Sequence, residues 1–182
     1  MLRIIVEGEL LLTSSPPRWS RLCPSIYLIS TRKYLIIALD TTVLVEAEVS
    51  DSPSHEAALA LIASRPAEAD SRPFAIAPQV LTEFIHVVSD PKRFARPLSV
   101  RAAIDRAEFW WSAREVQRIV PTLEATALFF RWMRLQNLRR KRILDTYLAA
   151  TYAAAGIRRL ATSYGRDFTA FDAFEIIEVD TR

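Results

Sequence analysis

The chain has 182 residues, of which 51% are apolar, 3 are glycine and 1 is cysteine, and its formal net charge is +3. This composition excludes a chain that is disordered throughout and predicts a single domain with a substantial core. The lone cysteine excludes an internal disulfide, no apolar run approaches the ~20 residues that span a bilayer, and the N-terminus lacks a signal-peptide pattern, so we expect a cytoplasmic protein without membrane association.

Residues 1–34 differ in character from the rest of the chain. They hold five basic and two acidic residues and therefore the whole net charge, while residues 35–182 are balanced. Because the excess is confined to this segment, the charge balance does not by itself indicate nucleic-acid binding. A Ser-Ser-Pro-Pro run and the lack of an amphipathic period predict a poorly ordered extension, or a start codon assigned too far upstream, with an edge hairpin as the less favoured alternative. The domain itself is predicted to span residues 35–182.

Strand and helix patterns alternate from residue 35 onward. Strands are predicted at residues 35–40, 74–77, 115–120, 159–162 and 175–179. Helices are predicted at residues 55–65, 78–88, 99–111, 122–135 and 144–155, with a basic loop before the last of them. Alternation of this kind predicts an α/β fold, a three-layer α/β/α sandwich with a mostly parallel central sheet.

Three carboxylates stand in unusual places along this pattern. Asp40 closes the first strand, where open parallel sheets bind ligands. Glu83 lies in a helix that is apolar around most of its circumference, where a buried carboxylate needs a partner. Asp145 begins the last helix. Each has a structural alternative, which is a helix N-cap for Asp40 and Asp145 and a solvent-facing strip for Glu83.

Three acids that apolar elements bring to one edge of a sheet predict a divalent metal site. Carboxylate oxygens suit Mg²⁺ or Mn²⁺, which retain several waters and take a few carboxylates plus phosphate oxygens. The chain has no cluster of cysteine and histidine, so zinc is disfavoured.

Taken in order, these motifs resemble the PIN-domain family of metal-dependent ribonucleases, and in particular its VapC-like toxin branch. The matching segments are Leu39–Val45, Thr82–Phe84, Leu144–Asp145, Leu160–Ser163 and Asp167–Phe168. Each segment alone is a weak signal, whereas the ordered set is fairly specific, and the resemblance covers about residues 35–179.

The resemblance implies an endoribonuclease that hydrolyses RNA through a metal-activated water and acts as the toxin of a toxin–antitoxin pair. Asp40 and Asp145 would hold Mg²⁺, with Glu83 as a direct or water-mediated ligand. Hydroxyl groups, namely those of Thr41, Thr162 and Ser163, would position water or phosphate. Relatives of this kind commonly form homodimers and are neutralised by an antitoxin whose C-terminal segment covers the site.

A basic run directly before Asp145 fits an RNA substrate. It comprises Arg139, Arg140, Lys141 and Arg142. Beside a metal site such a cluster would hold the phosphate backbone. A solvated helix end is the structural alternative.

Two positions depart from the family pattern. The first motif usually reads Asp-Thr-Asn, but this chain has Thr42 in place of the asparagine. In the last motif many relatives carry an acid or amide two residues after Thr162, where this chain has Tyr164. Asp167 is the nearest acid, and it either replaces the missing fourth carboxylate or is an ordinary loop residue.

Three other functions compete with the toxin nuclease. A haloacid-dehalogenase phosphatase also starts with a strand that ends in aspartate, but it requires a second aspartate at position 42, which is threonine here. A catalytically impaired PIN-like module that binds RNA or protein is consistent with Tyr164. A housekeeping nuclease of RNA processing would lack an antitoxin.

Overall fold

A computed structural model describes residues 36–64 and 72–179 of the chain. The extension predicted for residues 1–34 lies outside these ranges, so the domain boundary stays a prediction. No helix within the described ranges is long and apolar enough to cross a membrane.

One five-stranded sheet forms the centre of the described structure. Its strands are β1 (Ile37–Leu39), β2 (Phe74–Ile76), β3 (Val116–Arg118), β4 (Arg159–Thr162) and β5 (Glu175–Glu178). They lie in the order β3-β2-β1-β4-β5, and every neighbouring pair is parallel. The central strand β1 is fully buried, which is expected of a parallel strand covered on both faces. The predicted parallel sheet is therefore confirmed.

Seven α-helices surround this sheet in the described ranges. They are α1 (Thr41–Glu48), α2 (His55–Ala63), α3 (Pro78–Val88), α4 (Val100–Ser112), α5 (Leu123–Leu135), α6 (Ile143–Ala154) and α7 (Arg166–Thr169). Helices α1 to α4 pack against one another, and α5, α6 and α7 form a second packed group. The predicted three-layer α/β/α architecture is confirmed.

The predicted helices begin where their capping residues place them. Ser99 and Thr122 accept hydrogen bonds from the backbone N–H groups of Ala102 (3.2 Å) and Ala125 (3.1 Å), and Pro78 occupies the first turn of α3. Bounds agree with the sequence prediction to within two residues. Three short elements were not predicted, namely α1, α7 and a 3₁₀ turn at Arg140–Arg142.

A buried tyrosine ties the carboxyl ends of two strands to α6. The Tyr152 hydroxyl donates to the carbonyl oxygen of Leu39 at 2.8 Å and accepts from the N–H of Ala77 at 3.1 Å. Leu39 ends β1, and Ala77 is the N-cap of α3. A single side chain thus fixes the positions from which Asp40 and α3 start.

Candidate active site

The strand order places a crevice between β1 and β4. Chain connections run outward in one direction from β1 to β2 and β3, and in the other direction to β4 and β5. Ligands bind beyond the carboxyl ends of strands at such a switch point. A cavity of about 320 Å³ opens there, and the residues that line it are Asp40, Thr41, Thr42, Val45, Glu46, Ser52, Glu83, Val87, Arg93, Phe94, Asp145, Tyr164, Asp167 and Phe168.

Asp40 is held at the floor of this cavity by three hydrogen bonds. Its Oδ1 accepts from the N–H of Thr41 at 2.8 Å, and its Oδ2 accepts from the hydroxyls of Thr42 at 3.0 Å and Thr162 at 2.7 Å. Burial raises the pKa of Asp40 above its ordinary value, and these bonds offset part of that rise. Asp40 is also the N-cap of α1, which confirms its structural alternative and leaves its oxygen atoms at the cavity.

Glu83 reaches the cavity from α3 as an exposed side chain. Of the two alternatives that the sequence left open, the solvent-facing strip is the observed one, because Glu83 is exposed on α3. Its Oε2 nevertheless accepts a hydrogen bond of 2.8 Å from the Thr41 hydroxyl. Thr41 therefore links the elements that carry Asp40 and Glu83.

Asp145 enters from the first turn of α6. The N-cap of that helix is Arg142, so the N-cap alternative for Asp145 is wrong. Burial raises the pKa of Asp145 to about 6, Arg142 opposes the rise, and the negative charges of Asp40, Asp167 and Glu83 add to it. All four acids line the same cavity, so their charges act on one another.

Arg142 lies between two of the acids. Its guanidinium pairs with Asp145 at 3.3 Å and with Asp167. The remaining members of the predicted RNA-binding run, Arg139, Arg140 and Lys141, are exposed and do not line the cavity. In this arrangement the Arg142 guanidinium is paired with two carboxylates, and the RNA-binding role of the run stays a prediction.

Asp167 lines the cavity, and so does Tyr164. The interpretation of Asp167 as an ordinary loop residue does not account for this placement, since its carboxylate acts electrostatically on Asp145. The last motif therefore contributes one acid and one aromatic ring to the same space.

The hydroxyls of the last motif lie against carboxylates in the structure. Thr162 is fully buried and donates to Asp40, so it orients a carboxylate. The Ser163 hydroxyl lies 2.7 Å from both carboxylate oxygens of Glu46 and 2.8 Å from the carbonyl of Val179. Ser163 does not line the cavity.

Sequence reasoning gave no place in a site to several residues that line the cavity, among them Glu46, Arg93 and Phe94. Glu46 lies one helical turn after Thr42 on α1, and it would have been found if α1 had been predicted. Arg93 and Phe94 lie in the loop after α3, in a Pro-rich stretch that no motif singled out.

The donor chemistry of the cavity fits a hard divalent cation. Among the lining residues in the part of the chain that the structure describes, five are carboxylates, Arg93 is the only cation, and none is histidine or cysteine. Oxygen donors of this kind suit Mg²⁺ and Mn²⁺ better than zinc. Within residues 36–64 and 72–179, no three acidic, histidine or cysteine side chains already converge as a ligand set. The fit rests on the donor types and on the repulsion that a cation would relieve.

Comparison with known proteins agrees with this geometry. The PIN domain family model matches residues 37–173. Ribonuclease VapC24 from two strains of Mycobacterium tuberculosis is 29% identical over 138 residues, which is 75% of this chain and 91% of the relative.

Solved structures of low sequence identity share the fold. The crystal structure of VapC20 from Mycobacterium tuberculosis, described as a toxin that cleaves the sarcin-ricin loop, matches with a TM-score of 0.57 at 21% identity, over 76% of this chain and 97% of that one. The DNA-bound VapBC2 complex of Rickettsia felis gives 0.55 at 19% identity, over 80% and 99%. FitAcB from Neisseria gonorrhoeae gives 0.54 at 17% identity, over 79% and 97%.

Proposed function

This chain belongs to the PIN domain family, and from that premise we propose that it is a metal-dependent endoribonuclease, the toxin of a toxin–antitoxin pair. The observation that carries the proposal is the cavity at the switch point of the sheet, where Asp40, Glu83, Asp145 and Asp167 meet. The similarity to a protein named as a ribonuclease supports the reaction class.

Asp40 and Asp145 would hold the metal ion, with Glu83 as a direct or water-mediated ligand. We propose Mg²⁺ as the ion, with Mn²⁺ as the substitute, because all donors are oxygen atoms. When bound, such an ion lowers the pKa of a coordinated water and offsets charge on the scissile phosphate. Asp167 is proposed as the fourth acid. The family pattern has an acid or amide at position 164, where this chain has Tyr164.

The chain prepares these ligands through its threonines. Thr42 and Thr162 donate to one oxygen of Asp40 and leave the other with a single backbone donor, so the carboxylate has a fixed orientation. Thr41 fixes Glu83 in the same way. Groups that orient metal ligands commonly account for a factor of 10–100 in metal affinity or activity.

A protein partner is proposed on the basis of the structural neighbours. Several of them are described as complexes of a paired system, bound to DNA in some cases. We propose that a cognate antitoxin covers the cavity and that the chain forms a homodimer. Light scattering would test the second point, since a dimer has twice the chain mass of 20.7 kDa. The cytoplasmic location stays a prediction.

The decisive experiment is cleavage of a structured RNA pool by the purified full chain. We expect cutting with Mg²⁺, none with EDTA, and a large loss in Asp40→Asn. Asparagine also caps helices well, so this variant should keep α1 intact. Asp105→Asn is the matched control, because Asp105 is an exposed acid of α4 outside the cavity. Equal cutting by Asp40→Asn and the parent would contradict the proposal.

A catalytically impaired binding module gives a different outcome. It predicts a folded chain that binds the RNA pool but never cuts it with either Mg²⁺ or Mn²⁺. A housekeeping nuclease would cut in the same way as a toxin, and only the absence of a neutralising partner would separate the two.

A further inference from the structure

Tyr164 is an exposed aromatic ring in a cavity lined by carboxylates. It is 64% exposed, and it lines the cavity together with Asp40 and Asp145. Single exposed rings are ordinary on protein surfaces. The position of this one is not ordinary, because it follows the carboxyl end of β4 at the switch point where a substrate would bind.

The backbone of Tyr164 is fixed on both sides. Its N–H donates to the Thr162 hydroxyl at 3.1 Å, and its carbonyl oxygen accepts from the N–H of Asp167 at 2.9 Å. The same Thr162 hydroxyl donates to Asp40 at 2.7 Å. The backbone of Tyr164 is therefore linked to Asp40 through the Thr162 hydroxyl and to Asp167 through one direct hydrogen bond. The ring itself is exposed.

Neither of the simpler explanations accounts for this arrangement. A core role does not fit a ring that is mostly exposed. A degraded acid position does not fit either, since Asp167, three residues later, already supplies a carboxylate to the same cavity. A neutral ring also cannot replace an anionic ligand.

A nucleobase is the ligand chemistry that such a ring recognises. Single-stranded RNA is bound by stacking of unpaired bases on aromatic side chains, and each stacked base contributes a factor of roughly 5 to 150 in affinity. The carboxylates of the cavity repel the phosphate backbone. Stacking of a base on the Tyr164 ring supplies an attraction that does not depend on charge. Arg93 lines the same cavity and adds a positive charge to it. Its side chain is 59% exposed and forms an ion pair of 3.8 Å with Asp90.

We propose that Tyr164 is the stacking platform for one nucleobase of the bound RNA, next to the scissile phosphate. This inference rests on the proposed function. Under this proposal, Tyr164 binds and selects the substrate at the position where relatives carry an acid.

The test compares variants of Tyr164 in an Asp40→Asn background that prevents cleavage during binding. Fluorescence anisotropy with a short single-stranded RNA should give an unchanged affinity for Tyr164→Phe and a loss of about tenfold for Tyr164→Ala. The same RNA is then prepared as a series, with the base removed at one position in each member. At one position, removal of the base should weaken binding to the protein that retains Tyr164 and leave binding to Tyr164→Ala unchanged. That coupling identifies stacking and is not produced by a general loss of structure.

Tyr164→Asp separates stacking from the lost-acid explanation in the active background. Stacking predicts a higher KM for Tyr164→Asp and Tyr164→Ala, with Tyr164→Phe near the parent. A restored fourth acid predicts that Tyr164→Asp cuts faster than the parent, and this result would overturn the proposal.

Phe109→Ala is the matched control, because Phe109 is 62% exposed on α4 and does not line the cavity. It should leave RNA affinity and cleavage unchanged. Equal affinity and cleavage for Tyr164→Ala and the parent would overturn the stacking role while the nuclease function stands. A parent chain that neither binds nor cuts RNA would overturn both.

Discussion

Asp40 serves as a helix cap and as a candidate metal ligand with the same carboxylate. Its Oδ1 satisfies the first N–H of α1, and its Oδ2 collects the hydroxyls of Thr42 and Thr162. The cap fixes the side chain relative to β1, and the hydroxyls come from α1 and β4. A carboxylate at the end of β1 that accepts hydrogen bonds from α1 and β4 keeps its position without a metal.

Asp145 is the acid whose protonation should be visible in the stability of the metal-free protein. Its pKa is about 6 in the folded chain against an ordinary value of 3.8. Between these two pH values the folded state keeps a proton that the unfolded state has lost. The free energy of unfolding in EDTA should therefore decrease as the pH rises from about 4 to about 6. Urea unfolding across this range measures the slope.

Asp145→Asn is the comparison that isolates this group from the other titrating residues. The variant should show a flatter dependence of stability on pH, because asparagine does not titrate. Superimposable pH profiles for the two proteins would mean that repulsion among the acids is relieved in another way.

At the scale of the elements, the sequence predicted the five strands and the longer helices and missed the short helices. Helices α3 to α6 each have 11 residues or more, and three of them carry a clear start signal: Pro78 for α3, Ser99 for α4 and Thr122 for α5. Helix α1 reads Thr-Thr-Val-Leu-Val-Glu-Ala-Glu, and four of its first five residues are β-branched, which weakens the helical signal. It forms because Asp40 caps it and its buried side chains pack on the sheet.

The missed helix explains the missed part of the site. Glu46 reaches the cavity only because α1 turns it to the same side as Thr42. The acids at strand ends and in long helices, Asp40, Glu83 and Asp145, could be placed from the sequence and its resemblance. The pairing of Arg142 with Asp145 and Asp167 could not, since it depends on how the 3₁₀ turn faces the one-turn helix α7.

Tyr152 carries the prediction that belongs to the elements. Tyr152→Phe removes one hydroxyl and leaves the Leu39 carbonyl and the Ala77 N–H, both buried, without that partner. We expect a loss of about 1–3 kcal/mol in the free energy of unfolding, because unpaired buried polar groups keep their desolvation cost. Urea denaturation measures it.

Tyr147→Phe is the matched control on the same helix, since the Tyr147 ring packs edge-on against Phe129 and phenylalanine preserves that contact. It should change stability by less than Tyr152→Phe. A small and equal effect of both substitutions would show that water or a backbone shift replaces the Tyr152 bonds.

For the whole molecule, the order of the strands decides where the chemistry is. Because the sheet reverses its winding direction between β1 and β4, Asp40 and Thr162 meet although 122 positions separate them. The elements that follow β1 and β2 bring Glu46 and Glu83 to the same crevice, and α6 adds Asp145. The fold thus gathers carboxylates beyond the carboxyl ends of its parallel strands.

This concentration of negative charge costs stability until a cation binds. Asp40 and Asp145 both have a raised pKa, and the charges of Asp40, Asp167 and Glu83 add to the rise at Asp145. Arg142 offsets part of it but pairs with only two of the carboxylates. A divalent ion that binds the folded chain and not the unfolded one must therefore raise the free energy of unfolding.

We expect Mg²⁺ or Mn²⁺ at about 100 times its dissociation constant to stabilise the chain by about 2.7 kcal/mol. That corresponds to a rise in the melting temperature of roughly 5–11 °C for a domain of this size. Thermal unfolding against metal concentration measures it, and the shift should grow as the pH rises through about 6, because the ion competes with the proton on Asp145. Asp145→Asn should lose most of the shift and Asp105→Asn should keep it. If both variants respond as the parent does, the ion binds elsewhere and the carboxylates of the cavity are not its ligands.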